Sequence, residues 1–177
     1  MILSEKVVYT ENFAGTVYLI TGIEDFDTSN LKFDNDFHTY RLNGKLLPSV
    51  TQLLDDGEYK NVDKNILEYA RKKGTIVHKE IQNYLESNLE GVTSEFYEFL
   101  RLYTEEQEKF VKKAIFDFKT YSVATPKNRE KCYKQIKMYA EGVKYLTGIE
   151  IDNYYMVHLP HNKKGKIYDL RSEFENE

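Results

Sequence analysis

The sequence predicts an α/β fold, with helices packed on a mixed central sheet and the strand that carries Asp117 and Lys119 in its middle. Three observations point there. Short β-rich runs alternate with long stretches of helical periodicity. Asn43-Gly44, between alternating residues, is a strong hairpin signal. A short strand ending near Lys119, a helix after Pro126 and an apolar strand at 149–159 follow in succession.

From the N-terminus, residues 6–20 read as two strands: Val7, Val8 and Tyr9 are β-formers, and Thr16 to Ile20 is β-rich again. Residues 21–36 are acidic and turn-rich, as a loop would be. His38, Tyr40 and Leu42 alternate up to the Asn43-Gly44 turn, and Lys45 to Leu47 return. Ser49 caps a short helix through Val50, Leu53 and Leu54. Asp63 opens a longer one, in which Ile66, Leu67, Ala70, Val77, Ile81 and Leu85 recur at helical spacing. Gly74 in its middle costs about 1 kcal/mol relative to Ala, so it marks a break or a close contact. A helix over 94–112 has Phe96, Phe99, Leu100, Tyr103 and Phe110 as its apolar side. Pro126 precedes a third long helix over 127–147, which Gly148 ends. Lys166 to Leu170 reads as a last strand.

The chain of 177 residues reads as one domain (1–177), long enough to bury a core. Its hydrophobic fraction is 41%, and Tyr 15 with Phe 10 makes it aromatic enough to fold. The net charge of -4 gives no global basic signal for nucleic acid and suits a basic partner surface. A single cysteine, Cys132, excludes an internal disulfide framework and fits a reducing cytosol. No apolar run is long enough to predict a membrane span, and Met1 to Lys6 lacks a signal pattern.

One group of residues suggests chemistry. Asp117 and Lys119 are separated by one residue on a strand, so both side chains lie on one face. A carboxylate there can bind Mg²⁺ while the ammonium orients or activates a water against a phosphodiester. Alone, Asp-x-Lys also fits a solvated strand end. Gln135 and Tyr139 stand four apart on the next helix and share a face. His78 follows Gly74-Thr75-Ile76-Val77 on an earlier helix, where a structural histidine is the plain alternative.

Taken in order, these motifs resemble RecB-type PD-(D/E)XK exonucleases, especially small phage-encoded members. The resemblance runs from Phe37-His38-Thr39-Tyr40-Arg41-Leu42-Asn43-Gly44-Lys45-Leu46-Leu47-Pro48-Ser49-Val50-Thr51 through Ala70-Arg71-Lys72-Lys73-Gly74-Thr75-Ile76-Val77-His78. It ends with Phe116-Asp117-Phe118-Lys119-Thr120 and the Gln135 and Tyr139 pair, covering most of residues 33–160. It implies a PD-(D/E)XK restriction-endonuclease-like core. His78 and Asp117 would be metal ligands, Phe118 would offer its backbone carbonyl, and Lys119 would serve the water. Gln135 and Tyr139 would complete the catalytic set, with Mg²⁺ or Mn²⁺ as cofactor if the chain is active and none required if it is not.

The chain departs from the family at one place. The family has two strands between its long helix and the Asp-x-Lys strand, and the second carries a central metal-binding Asp. Here Glu105 to Val111 runs almost directly into that strand. Ser4-Glu5-Lys6-Val7-Val8-Tyr9 and Phe13-Ala14-Gly15-Thr16-Val17-Tyr18-Leu19-Ile20 look like the missing pair, moved to the N-terminus within residues 1–31, with 33–171 as the remaining core. The alternative is an unrelated N-terminal hairpin. On relocation, Tyr18 stands where the central Asp belongs, and Glu5 becomes an outer ligand or a plain surface glutamate. Tyrosine is a poor ligand for a hard cation while protonated, which it is below about pH 10.

Three functions follow as expectations. The first is a nuclease-fold protein with impaired catalysis. It would bind DNA or a nucleic-acid-processing or defence complex, for example as an inhibitor, in the cytoplasm of a bacterial host. The second is an active Mg²⁺-dependent DNA exonuclease or endonuclease, with Glu5, Asp25 or Glu80 completing the site. The third is a scaffold with no site. A relocated hairpin can also swap between protomers, which allows a homo-oligomer.

Overall fold

The computed structural model describes residues 16–19, 31–34, 39–54, 57, 62–110 and 113–175. The described elements begin with strands β1 (Thr16–Leu19), β2 (Leu31–Asp34), β3 (Thr39–Leu42) and β4 (Lys45–Leu47). Helices α1 (Val50–Leu53), α2 (Lys64–Ser87), α3 (Ser94–Glu105) and α4 (Gln107–Phe110) follow. The chain then forms β5 (Ala114–Lys119), α5 (Pro126–Thr147), β6 (Asn153–His158), β7 (Lys166–Asp169) and α6 (Leu170–Phe174).

Two sheets form among the described residues. The larger has the order β1-β5-β6-β7, and the smaller is the meander β2-β3-β4. Strand β5 pairs antiparallel with β1 and parallel with β6, so the larger sheet is mixed and the Asp117 strand lies inside it. A parallel partner requires a crossover; α5 supplies it. Every residue of β5 except Lys119 is buried. Both faces of the strand are therefore covered, and the run Ala-Ile-Phe-Asp-Phe is apolar apart from Asp117.

Alternation divides the core. Ile115 faces the α5 side with Ile136, Tyr139, Met156 and Leu170. Phe116 and Phe118 face α2 and α3, with Val77, Ile81, Phe96 and Phe99. That second side is aromatic: Phe110 stacks on Phe116 at 4.6 Å with the rings 6° apart.

Local sequence explains the helix ends. The Thr125 side chain accepts from Asn128 N at 3.2 Å, Pro126 takes the first position of α5, and Gly148 ends it at φ 72°. Pro126 is thus the first residue of that helix and does not lie just before it. Asp63 caps α2, accepting from Asn65 N at 2.7 Å. Gly74 leaves α2 unbroken. Nor does it mark a crowded approach, since a Cβ there would meet its nearest neighbour, Thr120 Oγ1, at 4.0 Å, an ordinary contact.

Several boundaries differ from expectation. The helix expected over 94–112 is divided into α3 and α4 at Glu106. Strand β2 lies inside the expected loop over 21–36 because its partner β3 supplies a ladder that turn-rich flanks conceal. The last strand stops at Asp169, whose side chain caps α6 by accepting from Ser172 N at 3.0 Å. Of the expected N-terminal strand pair, the second is β1, and the first lies outside the described residues. Among the described residues, no helix is long and apolar enough to cross a membrane.

Candidate functional site

The end of β5 and the middle of α5 meet over one group of polar side chains. Asp117 is 1% exposed, and its Oδ2 lies 2.9 Å from Lys119 Nζ. The same ammonium donates to Gln135 Oε1 at 3.2 Å. Gln135 Nε2 then donates to the Tyr139 hydroxyl at 2.9 Å. Thus Asp117, Lys119, Gln135 and Tyr139 form one continuous chain of contacts. Strand alternation brings the first two together, and one helical turn spaces the others.

Burial opposes the charge on Lys119, but Asp117 outweighs it, with smaller contributions from Tyr121 and Cys132, so its pKa is raised. Lys119 is a fixed cation, and it cannot act as a base toward water at neutral pH. Tyr139 is held protonated, chiefly by burial, which its bond to Gln135 only partly offsets. Cys132 Sγ donates to Asp117 Oδ2 at 3.3 Å. Burial, with Asp117 beside it, pushes this thiol up. The sequence reading passed over Cys132 as a site residue, although its place three residues before Gln135 puts it on the same face of α5.

His78 reaches the site from α2. Its ring meets Phe118 edge-on at 5.9 Å, and the Phe118 backbone accepts a hydrogen bond from it. Among the described residues, its buried Nδ1 has no hydrogen-bond partner. Burial drives the imidazole pKa down to about 4; Asp117 opposes this and Lys119 reinforces it. His78 is therefore neutral, as a metal ligand must be.

A divalent ion, which the family resemblance implies, would draw on His78, Asp117 and the Phe118 carbonyl. His78, Asp117 and the Phe118 carbonyl gather near one another, and the unpartnered Nδ1 favours a ligand. However, Asp117 is already engaged by an ammonium and a thiol. Among the described residues, no three His, Cys, Asp or Glu side chains are placed to hold a metal ion. Mg²⁺ takes oxygen ligands in near-octahedral order, which these residues do not supply. Glu80 does not complete the set: it accepts from Val92 N at 2.9 Å, and also from the Thr93 hydroxyl, and so holds the approach to α3. Glu5 and Asp25 lie outside the described residues. In register, Thr16 stands opposite Asp117 and Tyr18 opposite Ile115. The proposed stand-in for the central Asp is thus two positions along β1 from the site's carboxylate.

A second buried carboxylate carried no signal in the sequence. Glu95, 1% exposed, lies 2.5 Å from Lys73 Nζ and 3.0 Å from His161 Nδ1, and its other oxygen accepts from Ser94 Oγ at 2.9 Å. Burial would raise its pKa, but Lys73 and Ser94 outweigh burial and hold it low. Ser94 Oγ also lies 3.1 Å from His161 Nδ1. Serine and carboxylate therefore meet the same ring nitrogen. A nucleophilic triad needs them on opposite nitrogens, so this group is a clasp between α2, α3 and the turn after β6. His158 is likewise structural, with its Nε2 donating to the Tyr121 carbonyl at 2.8 Å.

Comparisons with family models, with characterised proteins and with solved structures return no match to this chain.

Proposed function

We propose that this chain is a nuclease-fold protein of the PD-(D/E)XK type with impaired catalysis. It acts by binding DNA or a nucleic-acid-processing or defence complex, with inhibition as the natural consequence. The proposed setting is the cytoplasm of a bacterial host that carries the encoding phage or mobile element, where Cys132 stays reduced.

One observation carries the impaired half of this proposal: Asp117 is 1% exposed, and its Oδ2 is held by Lys119 and by the Cys132 thiol. A carboxylate so covered is poorly placed to share a metal ion with a scissile phosphate. The nuclease-fold half is supported by the joined Asp117, Lys119, Gln135 and Tyr139 and by β5 lying between an antiparallel and a parallel strand.

The test is cleavage of linear single- and double-stranded DNA with Mg²⁺ and with Mn²⁺, with Lys119→Ala in parallel. No cleavage from folded protein, together with DNA retained in a binding assay, is expected. Cleavage that disappears in the variant would overturn the proposal. It would favour the second reading, an active metal-dependent deoxyribonuclease, to which the unpartnered Nδ1 of His78 lends support.

A further inference from the structure

The turn between β6 and β7 is cationic in an acidic chain. Residues 153–168 contain Lys163, Lys164 and Lys166 and no acid, whereas the whole chain carries -4. All three lysines are exposed, and among the described residues none forms an ion pair.

These lysines stand on a fixed turn. Asn162 adopts the left-handed conformation at φ 51°, which asparagine tolerates. Glu98 accepts from Gly165 N at 2.6 Å, Arg101 donates to Gly165 O at 3.3 Å, and Ser94 Oγ accepts from Asn162 N at 3.4 Å. A Cβ on Gly165 would lie 2.5 Å from the His158 carbonyl oxygen, so only glycine fits this turn against α3. Burial would raise the Glu98 pKa, but Arg101 and the Gly165 N–H, with Lys164 last, outweigh it and hold it low. Glu98 is thus served chiefly by Arg101 and the turn backbone, and Lys164 is left outside the pair. A cationic surface that is ordered before binding loses less entropy on docking.

The turn also adjoins the polar centre. His158 stands in register with Lys119 on one side and with Lys166 on the other. The turn therefore leaves the sheet at the end where Lys119 lies.

The chemistry of the turn selects its partner. No apolar side chain is exposed from Leu159 to Lys166. Protein interfaces are built on aromatic or apolar anchors and are depleted in lysine, whereas phosphate contacts need only placed cations. The nearest aromatic ring, Tyr168, is half-buried, with Lys166 Nζ 4.9 Å and the Arg129 guanidinium 5.0 Å from its centroid. It offers no open platform to an unstacked base, which single-stranded binders require.

We propose that the β6–β7 turn is a contact for the phosphate backbone of duplex DNA, with Lys163, Lys164 and Lys166 as its cations. A duplex carries one phosphate per about 1.7 Å of axis, twice the density of one strand, and suits a turn that presents charge alone. The inference deepens the DNA-binding part of the proposed function and rests on it.

The experiment is fluorescence anisotropy of a labelled duplex of about twenty base pairs, titrated with the full chain over a range of salt. The triple variant Lys163→Gln, Lys164→Gln, Lys166→Gln is compared with Lys45→Gln, Lys64→Gln, Lys134→Gln, an equal charge change on exposed lysines elsewhere. All six side chains are exposed, and circular dichroism verifies that both variants fold. The first variant should bind the duplex about tenfold or more weakly. Its slope of log affinity against log salt should fall by about two to three, near one per lost phosphate contact. The second should stay within about threefold of wild type. A single strand of the same length should bind more weakly than the duplex.

Equal effects of the two triple variants would overturn the turn as the contact while leaving DNA binding in place. No binding by the wild type would overturn both. Tighter binding to the single strand would overturn the choice of a duplex. Polyglutamate that displaces the labelled duplex as well as unlabelled duplex does, charge for charge, would also overturn it, because the turn would then fit an acidic protein. Phosphatidylserine vesicles that displace it equally well would do the same in favour of a membrane surface.

Discussion

Two carboxylates in this protein are buried to the same 1% exposure, and each has a lysine within 3 Å and a histidine nearby, yet they have opposite characters. Glu95 is fully served. Lys73, Ser94 and His161 all meet it, and through Lys73 and His161 it ties α2 and the turn after β6 to α3. Among the described residues, Asp117 has one ammonium and one weak thiol donor, and His78, whose charge it influences, has a buried Nδ1 with no hydrogen-bond partner. A closed polar cluster holds elements together. An incompletely satisfied one is costly and is kept where a ligand or a former reaction explains it.

This contrast can be broken most directly by deleting each lysine. Lys119→Ala leaves Asp117 with only the Cys132 thiol, so urea unfolding should lose about 3 kcal/mol or more, the range for one half of a buried pair. Lys73→Ala leaves Glu95 with Ser94 and His161 and should lose only about 1 kcal/mol. Equal losses would erase the distinction.

Acid sharpens it. The folded pKa of Glu95 lies below its unfolded value near 4.5, so its stabilisation is present above that value and disappears as pH falls through the folded one. Glu95→Gln should flatten the pH dependence of the urea midpoint below about pH 4.5. An unchanged acid limb would mean that the clasp contributes nothing.

His78→Phe tests the unpartnered nitrogen. It removes a buried unsatisfied atom and sacrifices the bond to the Phe118 backbone, so stability should rise or hold within about 1 kcal/mol. A loss of about 2 kcal/mol or more would show that Nδ1 finds a partner in solution. The smallest effect is kinetic: native Cys132, buried and with its thiol pushed up, should resist a disulfide reagent until urea unfolds the chain. Prompt labelling under native conditions would show that the Asp117 centre opens readily.

Much of the fold was legible because local rules dominate where strands and caps are strong. Asn43-Gly44, Asp63, Thr125 with Pro126, and Gly148 each act on the backbone within a few residues of themselves. Asp117 with Lys119, and Gln135 with Tyr139, were legible as two pairs from periods of two and four, and the family resemblance joined the pairs. Strand β2 was not, since its order comes from β3, and α6 was not, since Asp169 reads equally well as a strand residue and a cap. The Glu95 clasp was invisible because Lys73, Glu95 and His161 are far apart in sequence and none stands in a motif. Cys132 was overlooked because a lone buried cysteine ordinarily packs as a small hydrophobe.

The half-embedded state of α2 has a mechanical consequence. A helix of 24 residues is a rod of about 36 Å, and among the described residues its fully buried side chains, Val77 and Ile81, lie in its C-terminal part. Its free part behaves as a cantilever, with the Lys73–Glu95 pair at the fulcrum. An isolated helix of that length is marginal in water, so the overhang borrows its order from the clamped end. Amide exchange should therefore slow progressively from Ile66 toward Ile81, and a load at the tip should be felt as torque at His78.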